Sequence, residues 1–457
     1  MTTNNFHDYV VKLNVKSNEI DFNNPLNTFN TSNGSGTGFF IKKNLILTCY
    51  HVVKYAINIE VIFKQTNICN GKIKNIFPDD DIAIIEIDKE FDESKIFKFK
   101  TDLPNLIGEN VIAVGFPLNV NYLKVTKGVI SGYEDSYIQA DAALNPGNSG
   151  GPMIYMDNGE YMVIGVNVAK LTGPVEKTSY IVPIYRYSIL EKMISKKSTD
   201  TIVIKKPLLL FNFQKLMQKE LRENIFQNTN IHESQGIRIT LLNPKYYISK
   251  HLYVDDVILS INSNPVDNNG FIKLDCYPEK IPIKDIGLWF VEGDMIEFEI
   301  YRNNKIEKIS FKLQVINTNL LDFYNLDNYP SYFVENNGLI ISMITKQHLN
   351  NLKKLNLSED MITILNRRFY QSDIFTIYLA DLDYSKIKNF IKYPVGTIIT
   401  HINDTVINSY DEFIQVTKKP IYKIRTIDNK IFFLNKIEII DNRATNAANI
   451  KYYHIKY

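Results

Sequence analysis

The sequence predicts a mainly β protein, and three observations carry that reading. Between residues 35 and 187, apolar runs of strand length alternate with turn formers, and helix-period patterns are few. After residue 205 a second series of short apolar runs appears, at 235–239, 254–266 and 292–302. Part of that series then recurs: 254–262 and 395–403 share the spacing of a Val, an apolar pair, Ile and Asn, which marks an internal repeat.

Taken in order, residues 1–33 hold one possible strand, 9–15, before the chain turns polar from Asn23 to Gly36. Ten runs follow, at 39–41, 45–48, 57–63, 82–87, 111–114, 128–130, 137–139, 153–155, 162–166 and 180–182. So many short strands argue for a barrel or a sandwich, and periodicity does not choose between them. A helix-like pattern over 183–194 then meets the polar stretch 195–200, the first candidate domain boundary.

Composition sets outer limits. A chain of 457 residues has room for about three domains of common size. With 45% hydrophobic and 22% charged residues it is ordinary for a globular protein, and a formal net charge of +2 gives no electrostatic footprint for nucleic acid. Its three cysteines, Cys49, Cys69 and Cys276, are too few and too far apart for a disulfide framework or a zinc site. The amino terminus lacks the basic start and apolar stretch of a signal peptide. No apolar run approaches the roughly 20 residues of a membrane span. These features predict a soluble, intracellular protein in a reducing compartment.

Chemistry concentrates at 141–152, which reads Asp-Ala-Ala-Leu-Asn-Pro-Gly-Asn-Ser-Gly-Gly-Pro. Ser149 is a candidate nucleophile on a tight turn. The flanking glycines permit backbone angles that would let the Gly147 and Ser149 amides converge on one oxygen, as an oxyanion hole requires. The same turn formers also suit a plain surface loop. A serine hydroxyl needs a base, and the base an orienting group. His51, at the end of a strand pattern, is the candidate base. Asp81 closes an Asp79-Asp80-Asp81 run and opens the apolar strand 82–87, where an unpaired acid is costly. Asp79 and Asp80 are rival acids, and Asp81 is favoured because it directly precedes the strand.

Six blocks carry a resemblance. Residues 36–41 (Gly-Thr-Gly-Phe-Phe-Ile), 47–53 (Leu-Thr-Cys-Tyr-His-Val-Val), 81–85 (Asp-Ile-Ala-Ile-Ile), 115–117 (Gly-Phe-Pro), 125–131 (Val-Thr-Lys-Gly-Val-Ile-Ser) and 145–152 resemble, in order, the signature blocks of HtrA/Deg serine proteases. The one departure is Cys49-Tyr50, where that family more often has Asn-Ala. The resemblance implies a chymotrypsin-like double β-barrel over 34–197, with His51, Asp81 and Ser149 as catalytic triad and Gly147 and Ser149 as oxyanion hole. It further implies that Val166, Asn167 and Val168 lie on the strand that pairs with an extended substrate. Ala143, Leu144 and Ile181 would line a pocket suited to small or medium apolar residues.

Residues 205–315 look like a PDZ domain of the same family, with Gly236 and Ile237 in the loop that captures a peptide end. The repeat implies a divergent PDZ-like domain over 330–440, interrupted by an insertion with amphipathic stretches such as 350–357. The tail 441–457 reads as an added strand or an interaction segment. The layout is reminiscent of the plant-type Deg branch, whose members assemble as trimers or trimer pairs.

The leading expectation is therefore an ATP-independent serine endopeptidase acting on unfolded or damaged polypeptides. Peptide C-termini or extended segments would bind its PDZ-like units. It would need no cofactor, no metal and no proteolytic activation. The alternative is a catalytically silent relative that holds or scaffolds other proteins.

Overall fold

The computed structural model describes residues 3–19, 30–90, 96–168, 179–194, 202–226, 231, 234–242 and 246–315. Beyond these it describes 332–335, 339–343, 377–381, 398–407, 415–416, 422–426, 429–434 and 437–440. They fall into two compact units, one within Met1–Ser17 and Asn33–Ile316, the other within Asn18–Ser32 and Asn317–Tyr457.

Strands β1 (Val10–Glu19), β2 (Asn30–Lys42), β3 (Leu45–Cys49), β4 (Ala56–Phe63), β5 (Asn67–Phe77) and β6 (Ile82–Ile87) form the first sheet. Their order is β5-β4-β1-β2-β3-β6, and a further β5–β6 pairing closes the ring into a six-stranded barrel. After β7 (Lys98–Phe99), the second ring uses β8 (Asn110–Gly115), β9 (Lys124–Glu134), β10 (Tyr137–Ala140), β11 (Pro152–Asp157), β12 (Glu160–Val168) and β13 (Ser179–Pro183). Their order is β11-β8-β9-β10-β13-β12, closed by β11–β12, with β7 added in parallel on β12.

Alternation along the strands explains the packing. On β11 and β12, Met153 and Ile164 point into the second barrel with Ile130, Ile138 and Ile181. Their neighbours Ile154 and Val163 join Phe39, Leu47, Phe77 and Ile82 of the first barrel in one core. Successive strand residues thus serve two cores, as period-2 geometry requires. The barrels are joined by buried apolar surface, and the loops near that seam inherit a rigid base.

Helix α1 (Tyr50–Val53) is a single turn directly after β3. Helix α2 (Ile184–Ile194) follows β13, as its sequence pattern predicts. The strand β14 (Ile202–Val203) then pairs in parallel with β5.

The same unit continues into a third sheet. Strands β15 (Phe211–Lys215), β16 (Ile237–Leu242), β17 (Val257–Ile261), β21 (Met295–Arg302) and β22 (Lys305–Lys312) lie in that order. Short strands β18 (Asn264–Pro265), β19 (Phe271–Lys273) and β20 (Lys280–Pro282) intervene, with helix α3 (Lys219–Phe226) between β15 and β16. Its core of Ile237, Ile258, Phe298 and Trp289 also takes Tyr133 of β9 and Tyr185 of α2 against it.

Asp267 pins the loop of this module. Its carboxylate accepts the N–H groups of Asn269 (3.1 Å) and Phe271 (2.9 Å) and pairs with Lys280 at 2.8 Å. Burial opposes its charge, but the Lys280 ammonium and the two N–H groups outweigh that and hold the carboxyl below its ordinary value. A depressed carboxyl contributes stability above its unfolded pKa and loses it as pH falls through the folded one. Asp267→Asn is therefore expected to lower unfolding free energy by about 1 kcal/mol at pH 7, since the Lys280 end is solvated. The difference shrinks as pH falls below the ordinary carboxyl value in parallel denaturant titrations.

In the second unit the described strands Tyr332–Glu335, Leu339–Met343, Ile377–Asp381, Ile398–Ile402, Thr405–Val406, Tyr422–Thr426, Ile431–Leu434 and Ile437–Ile440 share one antiparallel sheet. The internal repeat is visible in a local device. Asn262 and Asn403 each follow their strand with left-handed backbone, at φ 47° and 51°. Asn262 exchanges N–H and side-chain Oδ1 bonds with Glu297, at 2.8 Å each. Asn403 makes the same pair with Lys423, at 2.8 and 3.0 Å. Asparagine suits the position because it tolerates that conformation. The 350–357 stretch and the 441–457 tail lie outside the described residues.

Candidate active site

Strand pairing builds the acid–base side of the site. The β3–β6 register sets Cys49 opposite Ile82, so the residues just past each strand end, His51 and Asp81, become neighbours. Asp81 caps a 3-10 turn, Pro78–Asp80, in the left-handed region (φ 53°, ψ 38°), a conformation aspartate accepts more readily than most residues. Asp81 makes three contacts with helix α1. The Asp81 carbonyl accepts the Tyr50 N–H at 2.9 Å. Oδ1 accepts the His51 backbone N–H at 2.9 Å, and Oδ2 lies 2.7 Å from His51 Nδ1. The imidazole is 43% exposed, so its far edge faces solvent.

The three consecutive acids have three different partners. Asp79 accepts the Lys206 backbone N–H at 2.9 Å. Asp80 is fully buried beside Arg186 and Lys206. Only Asp81 faces the histidine.

The serine side is two successive tight turns. Asn148 N–H donates to Asn145 O at 2.9 Å, and Gly151 N–H donates to Asn148 O at 3.0 Å. Each turn has glycine in its third position with positive φ, Gly147 at 101° and Gly150 at 85°, the pattern of type II turns. Ser149 is the second residue of the later turn and is 4% exposed. The Pro146 carbonyl accepts the Leu118 N–H at 2.6 Å. In a trans peptide this turns the Gly147 N–H to the opposite side, away from the Leu118 loop.

Thr37 on β2 ties this loop to the other barrel, a role that no sequence argument assigned it. Its N–H donates to Ser149 O (2.9 Å), its Oγ1 donates to Gly147 O (2.6 Å) and accepts the Phe116 N–H (3.0 Å), and its carbonyl accepts Thr48 Oγ1 (2.8 Å). A threonine set between Gly36 and Gly38 was the available signal. Gly150 completes the contact. A Cβ there would stand 2.2 Å from Thr37 O and from Thr48 Oγ1 and 2.9 Å from Cys49 N, which brings the serine turn against the chain leading to His51.

Cys49, the departure in sequence, is buried and donates Sγ–H to Asn167 O at 3.3 Å. Burial first, and then the charge of Asp81, push its thiol pKa well up. Among the described residues, Cys49, His51 and Asp81 bring three possible metal-ligand atoms within 4.8 Å of one another. A protonated thiol already donating to a carbonyl, and an imidazole nitrogen already on a carboxylate, suit hydrogen bonding better than a metal ion.

Of the predicted substrate residues, Val166 and Asn167 form part of the barrel wall. Both backbone groups of Asn167 are engaged, its N–H with Gly151 O (2.8 Å) and its carbonyl with Gly150 N (2.9 Å). Val168 is the last described residue of β12. Ala143 is exposed, Leu144 is half-buried, and Ile181 is fully buried in the second barrel with Leu144 packed against its core. The expectation for Gly236 and Ile237 needs correction. Gly236 N–H already donates to Val266 O at 2.9 Å, and Ile237 is paired with Lys215 on one side and Ile258 on the other. An interior strand has no free edge to offer a peptide.

Comparison with known proteins agrees with this geometry. Residues 36–166 match the trypsin-like peptidase domain family. The chain is 27% identical over 376 residues to Do-like 13 of Arabidopsis thaliana, covering 79% of this chain and 74% of that one. It is 26% identical to the chloroplastic protease Do-like 2 of the same plant, covering 72% of this chain and 54% of the relative. It is 27% identical to the serine protease Do-like HtrA of Bacillus subtilis (strain 168), covering 60% and 62%. The solved structure of the HtrA-type protease AlgW with a tripeptide superposes with a TM-score of 0.50 at 22% identity, over 67% of this chain and 93% of that one, which supports the fold. The two closed barrels and these relatives define a serine endopeptidase of the trypsin-like class. Over the matched residues the chain is similar to HtrA/Deg proteases, at 26–27% identity to the relatives above. No helix among its described residues is long and apolar enough to cross a membrane.

Proposed function

We propose that the protein is an ATP-independent endopeptidase that cleaves unfolded polypeptides through His51, Asp81 and Ser149. The observation that carries this reading is the pair of bonds from Asp81 to His51, at 2.9 and 2.7 Å, beside a doubly glycine-flanked serine turn. A neutral imidazole donating from Nδ1 keeps Nε2 as an acceptor. Nε2 takes the Ser149 proton as the hydroxyl attacks the scissile carbonyl and returns it to the leaving amine, while Asp81 stabilises the cation between those steps. The Gly147 and Ser149 amides receive the developing oxyanion, each donor worth about 10²–10³ in rate.

The substrate lies extended along the end of β12 beyond Asn167, with its side chain toward Ala143, Leu144 and Ile181. No carboxylate belongs to that trio, which favours small or medium apolar residues over lysine or arginine. The 205–315 module and its repeat at 330–440 act as PDZ-like units for peptide binding or assembly. In the first of them β15 and β22 end the sheet order, and these are the strands with an edge to offer among the described residues. Assembly as a homotrimer in an intracellular compartment completes the proposal.

Cleavage of fluorescein-labelled casein without ATP tests it. Wild-type protein is expected to cut and Ser149→Ala to lose at least about 10⁴-fold in rate, the scale seen when a triad member is removed. Equal cutting by both would refute the assignment.

A further inference from the structure

We propose that Asp80 is a positioning residue for Asp81, and that the module bearing Leu288 and Trp289 acts on the catalytic acid through the two buried cations that flank it. This rests on the triad reading above.

Asp80 is the last residue of the 3-10 turn whose next residue, Asp81, holds His51. Its carboxylate is 1% exposed, 3.7 Å from Arg186 NH1 and 3.8 Å from Lys206 Nζ, with both cations equally buried. At those distances the contacts are ionic, and among the described residues neither carboxylate oxygen accepts a hydrogen bond. The cations are fixed elsewhere. Arg186 donates from NH2 to Ser136 O and packs over the rings of Tyr137 (5.0 Å) and Trp289 (5.8 Å). Lys206 donates to Leu288 O at 2.9 Å. Leu288 and Trp289 end the 3-10 turn Ile283–Trp289, and that turn is clamped to the linker at Gly287, where a Cβ would lie 2.0 Å from Pro207 O. The nearby acids are Asp79 on the same turn and, on other elements, Asp285, which accepts Ser136 Oγ at 3.4 Å, and Asp294 near Lys206.

Such a cluster is a poor way to stabilise a fold. Burial pushes the Asp80 carboxyl up despite Lys206 and Arg186, and burial pushes the Lys206 ammonium down despite Asp80. Both shifts mean that the folded environment disfavours the charged forms. Apolar residues of similar volume would serve stability as well or better. Its location supplies another reason for it. Asp81 sits in a left-handed conformation that costs an ordinary residue about 1–3 kcal/mol. The adjacent carboxylate, gripped from two sides, anchors the turn that imposes this conformation. Removing the grip lets Asp81 relax, loosening both bonds to His51 without touching any substrate contact. Because one grip ends on Leu288 O and the other lies beside Trp289, a shift of that module reaches Asp81 through Asp80.

The test uses the full chain and labelled casein, with rates normalised to sites titrated by a fluorophosphonate. Asp80→Asn is expected to lower kcat at least about tenfold, part of the roughly 10²–10⁴ that acid–base catalysis contributes, with KM changed less than about twofold. Trp289→Leu, which stays apolar but removes the ring beside Arg186, is expected to lower kcat severalfold with the same KM. The double variant should be no slower than Asp80→Asn alone, since both act on one path. Unchanged kcat in Asp80→Asn, or a rise in KM alone, overturns the positioning role. Independent, multiplicative losses overturn the relay. Should Asp80→Asn not fold, Trp289→Leu decides by whether its kcat falls. Should Ser149→Ala cut as fast as wild type, the triad reading fails and this inference falls with it.

Discussion

Asp81→Asn is expected to lower kcat by about 10⁴-fold while leaving substrate affinity nearly intact. The reason is specific to the two-oxygen grip. Oδ1 accepts the backbone N–H of His51 at 2.9 Å, a donor that cannot reverse its role, and Oδ2 meets Nδ1 at 2.7 Å. An amide has one acceptor oxygen, and the backbone donor claims it. The NH₂ is then forced against Nδ1, which can be satisfied only by becoming the acceptor. The ring proton moves to Nε2, and the nitrogen that must take the Ser149 proton is already occupied. Steady-state kinetics on labelled casein, with folding checked by circular dichroism, read the effect. A loss smaller than about tenfold would show that Asp81 is not the orienting acid. Neither neighbour could replace it, because Asp79 is spent on Lys206 N–H and Asp80 lies buried between two cations.

That sorting of three acids shows where sequence reasoning reached and where it stopped. Strand positions were legible because barrel strands bury alternate residues, and each of the ten expected runs falls inside a strand. Strand β5 was not legible. Its sequence, Asn-Ile-Cys-Asn-Gly-Lys-Ile-Lys-Asn-Ile-Phe, is mostly half-exposed until its buried end at Asn75–Phe77, so it lacks an apolar run. Ring closure was equally hidden, because it depends on pairings between strands distant in sequence, β1 with β4 and β3 with β6 in the first barrel and β8 with β11 in the second, which no local pattern encodes. At the site, the Pro-Gly and Ser-Gly turns could be read directly, since positive φ at the third position calls for glycine. Thr37 could not, because its four bonds join segments about 11, 79 and 110 residues away. Gly236 misled for a related reason: its positive φ of 103° serves a contact with Val266, and only the sheet order reveals that Ile237 has neighbours on both sides.

Gly150→Ala is expected to abolish cleavage and to lower stability by about 2–5 kcal/mol, combining left-handed backbone strain with overpacking. The methyl would fall 2.2 Å from Thr37 O and 2.9 Å from Cys49 N, backbone atoms of two strands that cannot swing aside as a side chain would. Relief requires the serine turn to withdraw from β2 and β3, which separates Ser149 from the segment carrying His51. Gly159→Ala is the matched control. That glycine has the same φ of 85° with nothing within 4 Å of its Cβ position, so it should lose only about 1–2 kcal/mol and keep full activity. Thermal unfolding and casein cleavage of the two variants separate the causes. If Gly150→Ala proved no worse than Gly159→Ala, conformational strain alone would account for both. The close approach of the serine turn to Thr37 and Cys49 could then not be what holds nucleophile and base together.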